Sequence, residues 1–217
     1  MQKLNDIPTC SDLLKKHKSL KTVLWDMDGT LMKTEPLHSQ STYSLHLDDC
    51  KINNLPHLKF EEIDQLCWGE IDALILQKLQ SQNYFKDLSL TRFIQEKNTL
   101  ILDALNTIDQ QSIVKKELRD LLRELKENNI SMAIVTSSEK ELTLKLTQTL
   151  GLSEYFEYII TREDTRENKP SPAPYLYAMK LLNKSPGDCI IFEDSQTGLK
   201  AANQSGAFTY QVMWYLD

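Results

Sequence analysis

The sequence predicts an α/β fold, in which helices cover both faces of a parallel sheet and a helical domain is inserted after the first buried strand. Short apolar runs without polar alternation recur along the chain, as strands buried on both faces require. Helical patterns lie between several of these runs. In contrast, residues 31–107 show mainly helical patterns and no convincing buried strand.

Five apolar runs, each bounded by charged or turn residues, are the predicted strands. They are residues 22–25, 132–135, 158–160, 189–192 and 208–212. Strands that alternate with helices form a parallel sheet, and open parallel sheets bind ligands at the carboxyl ends of their strands. Polar residues that directly follow these runs are therefore the first candidates for a functional site.

The helices between the strands follow from amphipathic patterns. Residues 114–128 place Leu118, Leu121, Leu122 and Leu125 on one face and charged residues opposite. Further helices are predicted at 173–183, at 195–206 and, outside the sheet, at about 9–19. In the inserted region the patterns indicate helices at 36–47, 60–66 and 72–80. The expected domains are a core of residues 1–32 and 108–217 and an inserted helical cap of residues 33–107.

Composition places the chain among ordinary globular proteins. It has 217 residues, of which 26% are charged, and a net charge of −6. This acidic balance disfavours nucleic acid and anionic membranes as partners. No apolar stretch approaches the ~20 residues of a membrane span, and no signal peptide is visible, so a cytoplasmic location is expected. The sequence does not indicate the oligomeric state, for which a monomer is the default expectation. The cysteines are scattered and lack CxxC spacing, which predicts reduced thiols rather than a zinc site.

The stretch VLWDMDGTL carries two carboxylates at the end of the first strand. Asp26 ends the strand and can serve as a nucleophile, a metal ligand or both. Asp28 follows two residues later and can turn back toward the same space, helped by the backbone freedom of Gly29. A plain Asp-Gly turn without function is an equally good explanation of this stretch alone. A calcium loop is excluded, because its third ligand before the glycine is missing.

Two other segments lie at or beyond strand ends. Thr136, followed by Ser137, begins a loop before a helix and suits a phosphate, although a helix N-cap would explain the same residues. Lys169 lies in a loop followed by three prolines and could neutralise a phosphoryl oxygen. A solvated loop lysine is the alternative.

The strongest of these signals is Glu193 next to Asp194 at the end of an apolar strand. Adjacent carboxylates repel each other unless a cation lies nearby, and hard oxygen ligands suit magnesium. The alternative is a helix start that Asp194 or Ser195 caps.

These motifs, in their order and approximate spacing, resemble the haloacid dehalogenase (HAD) superfamily. The resemblance spans residues 22–212. Within the superfamily, the sequence is similar to the helical-cap branch, which contains sugar-phosphate phosphatases and β-phosphoglucomutase. It implies a Rossmann-like core, a three-layer parallel sheet with an inserted α-helical cap. Because dehalogenases lack an aspartate at the position of Asp28, dehalogenation is disfavoured.

The resemblance implies roles for individual residues. Asp26 would attack phosphorus and form an aspartyl phosphate, and Asp28 would protonate the leaving oxygen and then activate water. Thr136 and Ser137 would hold the phosphoryl group, and Lys169 would tie this group to the nucleophile.

The implied cofactor is Mg²⁺. Its ligands would be the Asp26 carboxylate, the Asp28 backbone carbonyl and Asp194, with Glu193 either on the metal or supporting these ligands. The expected reaction is magnesium-dependent hydrolysis of a small phosphorylated metabolite.

The cap leaves alternatives open. His38 and Gly69 fall at positions where the mutase has a histidine and a loop glycine, which makes them candidates for substrate contact. The mutase's arginine for a second phosphate falls at Asp72, whose negative charge would repel that group. This difference favours a phosphatase over a phosphosugar mutase, which is kept as the first alternative. A catalytically idle protein that binds a phosphorylated ligand or regulates a partner is the second.

Overall fold

A computed structural model describes residues 1–68 and 70–215, and the chain divides into two compact units. The sheet unit comprises Met1–Lys33 and Gln110–Asp217, and the helical unit comprises Thr34–Asp109. The α/β fold predicted from the sequence is confirmed, because the sheet unit contains a parallel sheet with flanking helices.

Within the described residues, the sheet has six strands. In chain order they are β1 (Gln2–Leu4), β2 (Thr22–Trp25), β3 (Ser131–Val135), β4 (Tyr158–Ile160), β5 (Cys189–Glu193) and β6 (Phe208–Val212). Their order across the sheet is β1-β6-β5-β2-β3-β4, and every neighbouring pair is parallel. The five predicted strands are all present, each within one residue of its expected bounds.

The helices follow the predicted rhythm. They are α1 (Cys10–Lys16), α2 (Glu35–Asn53), α3 (Phe60–Cys67), α4 (Asp72–Ser81), α5 (Leu90–Leu105), α6 (Gln110–Ile113), α7 (Lys116–Glu127), α8 (Lys140–Thr149), α9 (Ala173–Leu181) and α10 (Gln196–Gln204). Short 3₁₀ turns lie at Ser153–Tyr155 and Pro186–Asp188. As expected, α7 buries its four leucines, and Asn128 is its C-cap residue.

The sheet unit has a buried apolar core between its strands and the helices α9 and α10. Leu24, Ala133 and Ile191, on three adjacent strands, are fully buried and pack with apolar residues of α9 and α10. The fully buried strands have almost no polar side chains, so they form a sheet only where helices cover both faces. Packing therefore leaves the carboxyl ends of the strands as the place for polar chemistry.

Strand β1 was not predicted. It has only three residues, two of them polar and exposed, so it lacks the apolar run that marks the other strands. It is an edge strand that pairs with β6, and it is stabilised by that pairing rather than by burial.

The helical unit has its own core, formed by α2, α3, α4, α5 and the turn before α5. Helix α5 was not identified in the sequence because its buried stripe includes Lys97 among apolar residues. Lys97 pairs with Asp72 of α4, and both side chains are almost fully buried. The expectation that Asp72 repels a second phosphate assumed an unpaired carboxylate, and the Lys97 ammonium offsets that charge.

Cys10, Cys50, Cys67 and Cys189 are buried free thiols, as expected. Burial raises the pKa of each of them. Within residues 1–68 and 70–215, none of the helices combines the length and apolar character needed to cross a membrane.

We expect Cys189 to react very slowly with Ellman's reagent in the native protein. Burial raises its pKa from an ordinary 9.0 to about 11, which lowers the thiolate population at pH 8 by about a hundredfold. Kinetics of the native and guanidinium-unfolded protein at pH 8 provide the measurement. One equivalent of thiol that reacts equally fast in both states, mapped to Cys189 by peptide mass analysis, would contradict the expectation.

Candidate active site

The candidate site lies where three neighbouring strands end. Strands β5, β2 and β3 are adjacent, and Trp25 on β2 is level with Phe192 on β5 and Ile134 on β3. Asp26 and Glu193 each follow directly after one of these paired residues, so they lie side by side at the same edge of the sheet. The order of the strands thus assembles residues that are 167 positions apart along the chain (193 minus 26).

Lys169 lies between these two carboxylates. Its Nζ donates to Asp26 Oδ1 at 2.5 Å and to Glu193 Oε1 at 2.7 Å. The Lys169 side chain is only 3% exposed, so a solvated loop lysine is excluded. A buried ammonium is stable only where such partners replace its lost hydration.

The charges of this cluster shift each other's protonation. Burial and the neighbouring Glu193 raise the pKa of Asp26, against the opposing effect of Lys169. Burial alone would lower the pKa of Lys169, but the charges of Asp26 and Glu193 outweigh it and raise this pKa well above its usual range. Lys169 therefore stays an ammonium.

Asp194 completes the acidic side of the site. Its Oδ1 accepts a hydrogen bond of 2.9 Å from the Thr30 hydroxyl, which fixes the carboxylate against the loop after Asp26. Burial, followed by the charge of Glu193, raises the pKa of Asp194 to about 7. The ionised form of Asp194 thus lacks a sufficient positive counter-charge among the protein's own groups.

A divalent cation fits this donor set. Asp26, Glu193 and Asp194 each offer an oxygen within 4.8 Å of the others, and hard oxygen donors suit Mg²⁺. Three carboxylates paired with one ammonium carry about two excess negative charges when ionised (−3 + 1 = −2). The raised pKa of Asp194 reflects burial and repulsion that a divalent cation would relieve.

Asp28 faces the end of β3. Its Oδ2 accepts a hydrogen bond of 2.6 Å from the Ser138 hydroxyl and lies 3.5 Å from the Thr136 hydroxyl. Gly29 follows with a φ of 76°, a left-handed conformation that glycine adopts without strain. The turn at Gly29 therefore supports the expected return of Asp28 toward the site.

The loop between β3 and α8 contains Thr136, Ser137 and Ser138. Thr136 is buried and its hydroxyl accepts from the Ser138 amide at 3.0 Å, whereas Ser137 is exposed. The first amide of α8, that of Lys140, donates to the Glu163 carboxylate at 3.1 Å. Because Glu163 already occupies this helix end, a phosphate would depend on the loop before α8 rather than on its first turn.

Three further residues support this site. Ser138, which follows Thr136 and Ser137 in the loop where the sequence predicts phosphate binding, contacts Asp28 instead. Tyr175 donates from its buried hydroxyl to Glu193 Oε1 at 3.2 Å, and its ring lies 5.0 Å from Lys169 Nζ. The predicted helical pattern made Tyr175 a plain core residue, so its polar contact left no signal.

Gly198 is the third of these residues. A Cβ atom built on it would lie 1.5 Å from Glu193 Oε1, so the absence of a side chain creates the space for that carboxylate. Its neighbour Ser195 caps α10 and donates from its amide to Glu193 Oε2 at 2.9 Å. An isolated glycine inside a predicted helix was the signal that could have identified this close approach.

The remaining candidates are His38 and Gly69. His38 belongs to α2 of the helical unit, whereas the cluster around Lys169 belongs to the sheet unit. Gly69 lies outside the described residues. Both roles in substrate contact stay predictions.

Known proteins resemble this chain over most of its length. It is 26% identical over 208 residues to the pyrophosphatase PpaX of Oceanobacillus iheyensis, covering 91% of this chain and 86% of that relative. The phosphorylated carbohydrates phosphatase of Thermotoga maritima is 25% identical over 191 residues, covering 86% and 82%.

A solved structure shares the fold. The HAD hydrolase of family IA, variant 3, from Entamoeba histolytica is 27% identical with a TM-score of 0.76, covering 91% of this chain and 86% of that one. The model of the haloacid dehalogenase-like hydrolase family matches residues 20–206, which include every strand end of the candidate site. The chain therefore belongs to the haloacid dehalogenase-like hydrolases and is an enzyme of that family.

Proposed function

We propose that this enzyme is a magnesium-dependent phosphatase that hydrolyses a small phosphorylated metabolite through an aspartyl-phosphate intermediate. The observation that carries the proposal is the Lys169 ammonium, buried between Asp26 and Glu193 with Asp194 nearby. The names of the two relatives, a pyrophosphatase and a phosphatase of phosphorylated carbohydrates, agree with this reaction class.

Asp26 is the proposed nucleophile. One of its oxygens is held by Lys169, which orients the carboxylate and leaves the second oxygen for attack on phosphorus. The leaving oxygen departs as the Asp26–phosphorus bond forms, and water later cleaves that bond to release phosphate and restore the carboxylate. The Lys169 ammonium also offsets the negative charge of the transferring group.

Asp28 is the proposed general acid and base. It would give its proton to the leaving oxygen and, once ionised, take a proton from the attacking water. The Ser138 hydroxyl donates to Asp28 Oδ2 at 2.6 Å, which orients the carboxyl group between these steps. Thr136 and Ser137 are the proposed phosphoryl-binding residues.

Mg²⁺ would be held by the Asp26 and Asp194 carboxylates and the Asp28 backbone carbonyl. When bound, it offsets charge on the phosphoryl oxygens. Glu193 accepts from Lys169, from Tyr175 and from the Ser195 amide. Because both of its oxygens are already hydrogen-bonded, we assign it the support of Lys169 rather than direct contact with the cation.

The substrate class is a phosphorylated small molecule, not a nucleic acid or a lipid surface. A monomeric state and a cytoplasmic location stay predictions. The test is phosphate release from a panel of sugar phosphates, phosphoglycolate, pyrophosphate and nucleotides, with Mg²⁺ and with EDTA. Magnesium-dependent release supports the proposal, and isomerisation of β-glucose 1-phosphate without release would replace it with a mutase.

The substitution Asp26→Asn should lower magnesium-dependent phosphate release by at least about a thousandfold, because the amide cannot form the aspartyl phosphate. The matched control is Asp120→Asn on α7, which removes only two surface ion pairs, one with Lys116 and one with Arg123. Circular dichroism verifies that both variants are folded. A folded Asp26→Asn protein with the wild-type rate would disprove the proposal that Asp26 is the nucleophile.

Mg²⁺ should raise the melting temperature of the wild-type protein. At about 100 times the dissociation constant, binding stabilises the fold by about 2.7 kcal/mol, which corresponds to roughly 5 to 10 °C for a chain of this size. Asp194→Asn removes one proposed ligand, and the shift should largely disappear. Differential scanning fluorimetry with and without MgCl₂ measures it, and an unchanged shift in Asp194→Asn would argue against this ligand.

Gly198→Ala should lower the turnover rate by about a hundredfold, because the new methyl group displaces the Glu193 carboxylate that holds Lys169. Gly187→Ala is the matched control, since no atom lies within 4 Å of a Cβ built at Gly187. Steady-state phosphate release at saturating substrate measures both. Equal turnover rates in the two variants would show that turnover does not depend on the position of the Glu193 carboxylate.

A further inference from the structure

The last described residues of the chain contact the segments that connect the two units. Trp214 and Tyr215 are buried, with 4% and 6% of their surfaces exposed. The indole Nε1 of Trp214 donates to the Thr30 carbonyl at 2.9 Å. The Tyr215 hydroxyl lies 3.2 Å from the carbonyls of both Leu31 and Ile113. We name Trp214 and Tyr215 the aromatic clasp.

Further contacts hold the clasp in place. The Lys115 amide donates to the Tyr215 hydroxyl at 3.2 Å, and the Lys115 ammonium lies over the Tyr215 ring. The Trp214 ring contacts that of Phe192 on β5, with 5.8 Å between ring centroids. Trp214 and Tyr215 thus combine buried rings with polar contacts.

The segments that the clasp joins are the two connections between the units. Residues 30–33 lead from the sheet unit to the helical unit, and residues 110–115 return from it. The Lys33 amide donates to the Ile113 carbonyl at 2.8 Å, so the two connections also bond to each other. The Tyr215 hydroxyl contacts both connections and therefore links them.

The outgoing connection begins inside the candidate active site. Thr30 presents its carbonyl to Trp214 and its hydroxyl to Asp194, whose Oδ1 lies 2.9 Å away. The same turn carries Asp28, and the Met27 carbonyl accepts the amides of Leu31 and Met32 within it. Movement of Thr30 would therefore disturb Asp194 directly and Asp28 through the turn.

We infer that Trp214 and Tyr215 are positioning residues for the reaction, because they fix the turn of residues 26–32 and, through Thr30, the carboxylate of Asp194. Trp214 holds the turn on its active-site side, and Tyr215 holds it where the two connections meet. The kinetic part of this inference rests on the proposed function, whereas the structural part does not.

The test compares Trp214→Phe and Tyr215→Phe with the wild-type protein. Each substitution removes one polar group and retains an aromatic ring. Tyr177→Phe is the matched control, since Tyr177 is partly exposed on α9 in a segment separate from the two connections. Hydrogen–deuterium exchange without metal is measured by mass spectrometry for peptides that cover residues 27–33 and 113–115. Melting temperatures record global stability separately.

In both clasp variants, we expect amides of residues 29–33 to exchange roughly threefold to tenfold faster, as the loss of one hydrogen bond predicts. Tyr177→Phe should leave this exchange unchanged. With p-nitrophenyl phosphate as the probe, Trp214→Phe should also raise the Mg²⁺ concentration for half-maximal rate by roughly threefold to tenfold. A role in global stability alone would lower the melting temperature and move neither readout.

Unchanged exchange in both folded clasp variants would overturn the inference. If Trp214→Phe does not fold, Tyr215→Phe decides on the same exchange measurement, because its ring is retained and only the hydroxyl is lost. A wild-type protein that releases no phosphate from any compound of the panel would overturn the proposed function. The exchange of residues 27–33 would still decide whether the clasp fixes the turn.

Discussion

The rest of the site depends on the Lys169 ammonium, which is buried between two carboxylates. An ammonium with 3% of its side chain exposed has lost nearly all its hydration, and only close anionic partners offset that cost. Asp26, Glu193 and the Tyr175 ring surround it, so a change in one of them alters the charge balance of the others. Replacement of an entire buried ion-pair cluster by well-packed apolar side chains is often neutral or stabilising, whereas loss of one partner leaves a buried charge unpaired. The presence of this cluster is therefore better explained by chemistry than by stability.

The sheet topology supplies this arrangement without help from most of the helices. Strands β5, β2 and β3 are neighbours, so their carboxyl ends bring Glu193, Asp26 and Thr136 to one edge. The side chains below that edge are buried and apolar, which fixes the backbone from which the polar residues project. Rigid strands position functional groups more accurately than loops do. Lys169 reaches the site from a loop that is separate from these strand ends, and its ion pairs hold it there.

The sequence predicted most of this unit because its signals are local. Apolar runs of three to five residues mark β2 to β6. Asp26, Thr136 and Glu193 were identified as candidate site residues because they lie at the ends of these runs. Contacts that depend on three-dimensional packing left weaker signals. The hydroxyl of Tyr175 and the missing side chain of Gly198 acquire meaning only once α9 and α10 lie against the sheet. Likewise, Lys97 interrupts the apolar pattern of α5. Its burial is explained by its pairing with Asp72, which is 25 residues away and therefore gives no local signal.

The insertion follows closely after Asp26, the proposed nucleophile, and this places a mechanical demand on the turn between them. The turn of residues 26–32 contributes Asp28 and supports Asp194 through Thr30, yet it also leads by a few residues into the helical unit. Any displacement of that unit would pull on the turn unless the connection is fixed in between. Contacts with Ile113 and with Trp214 and Tyr215 lie at that point and belong to the sheet unit. These contacts therefore bind the turn of residues 26–32 to the sheet unit before the chain enters the helical unit at Thr34.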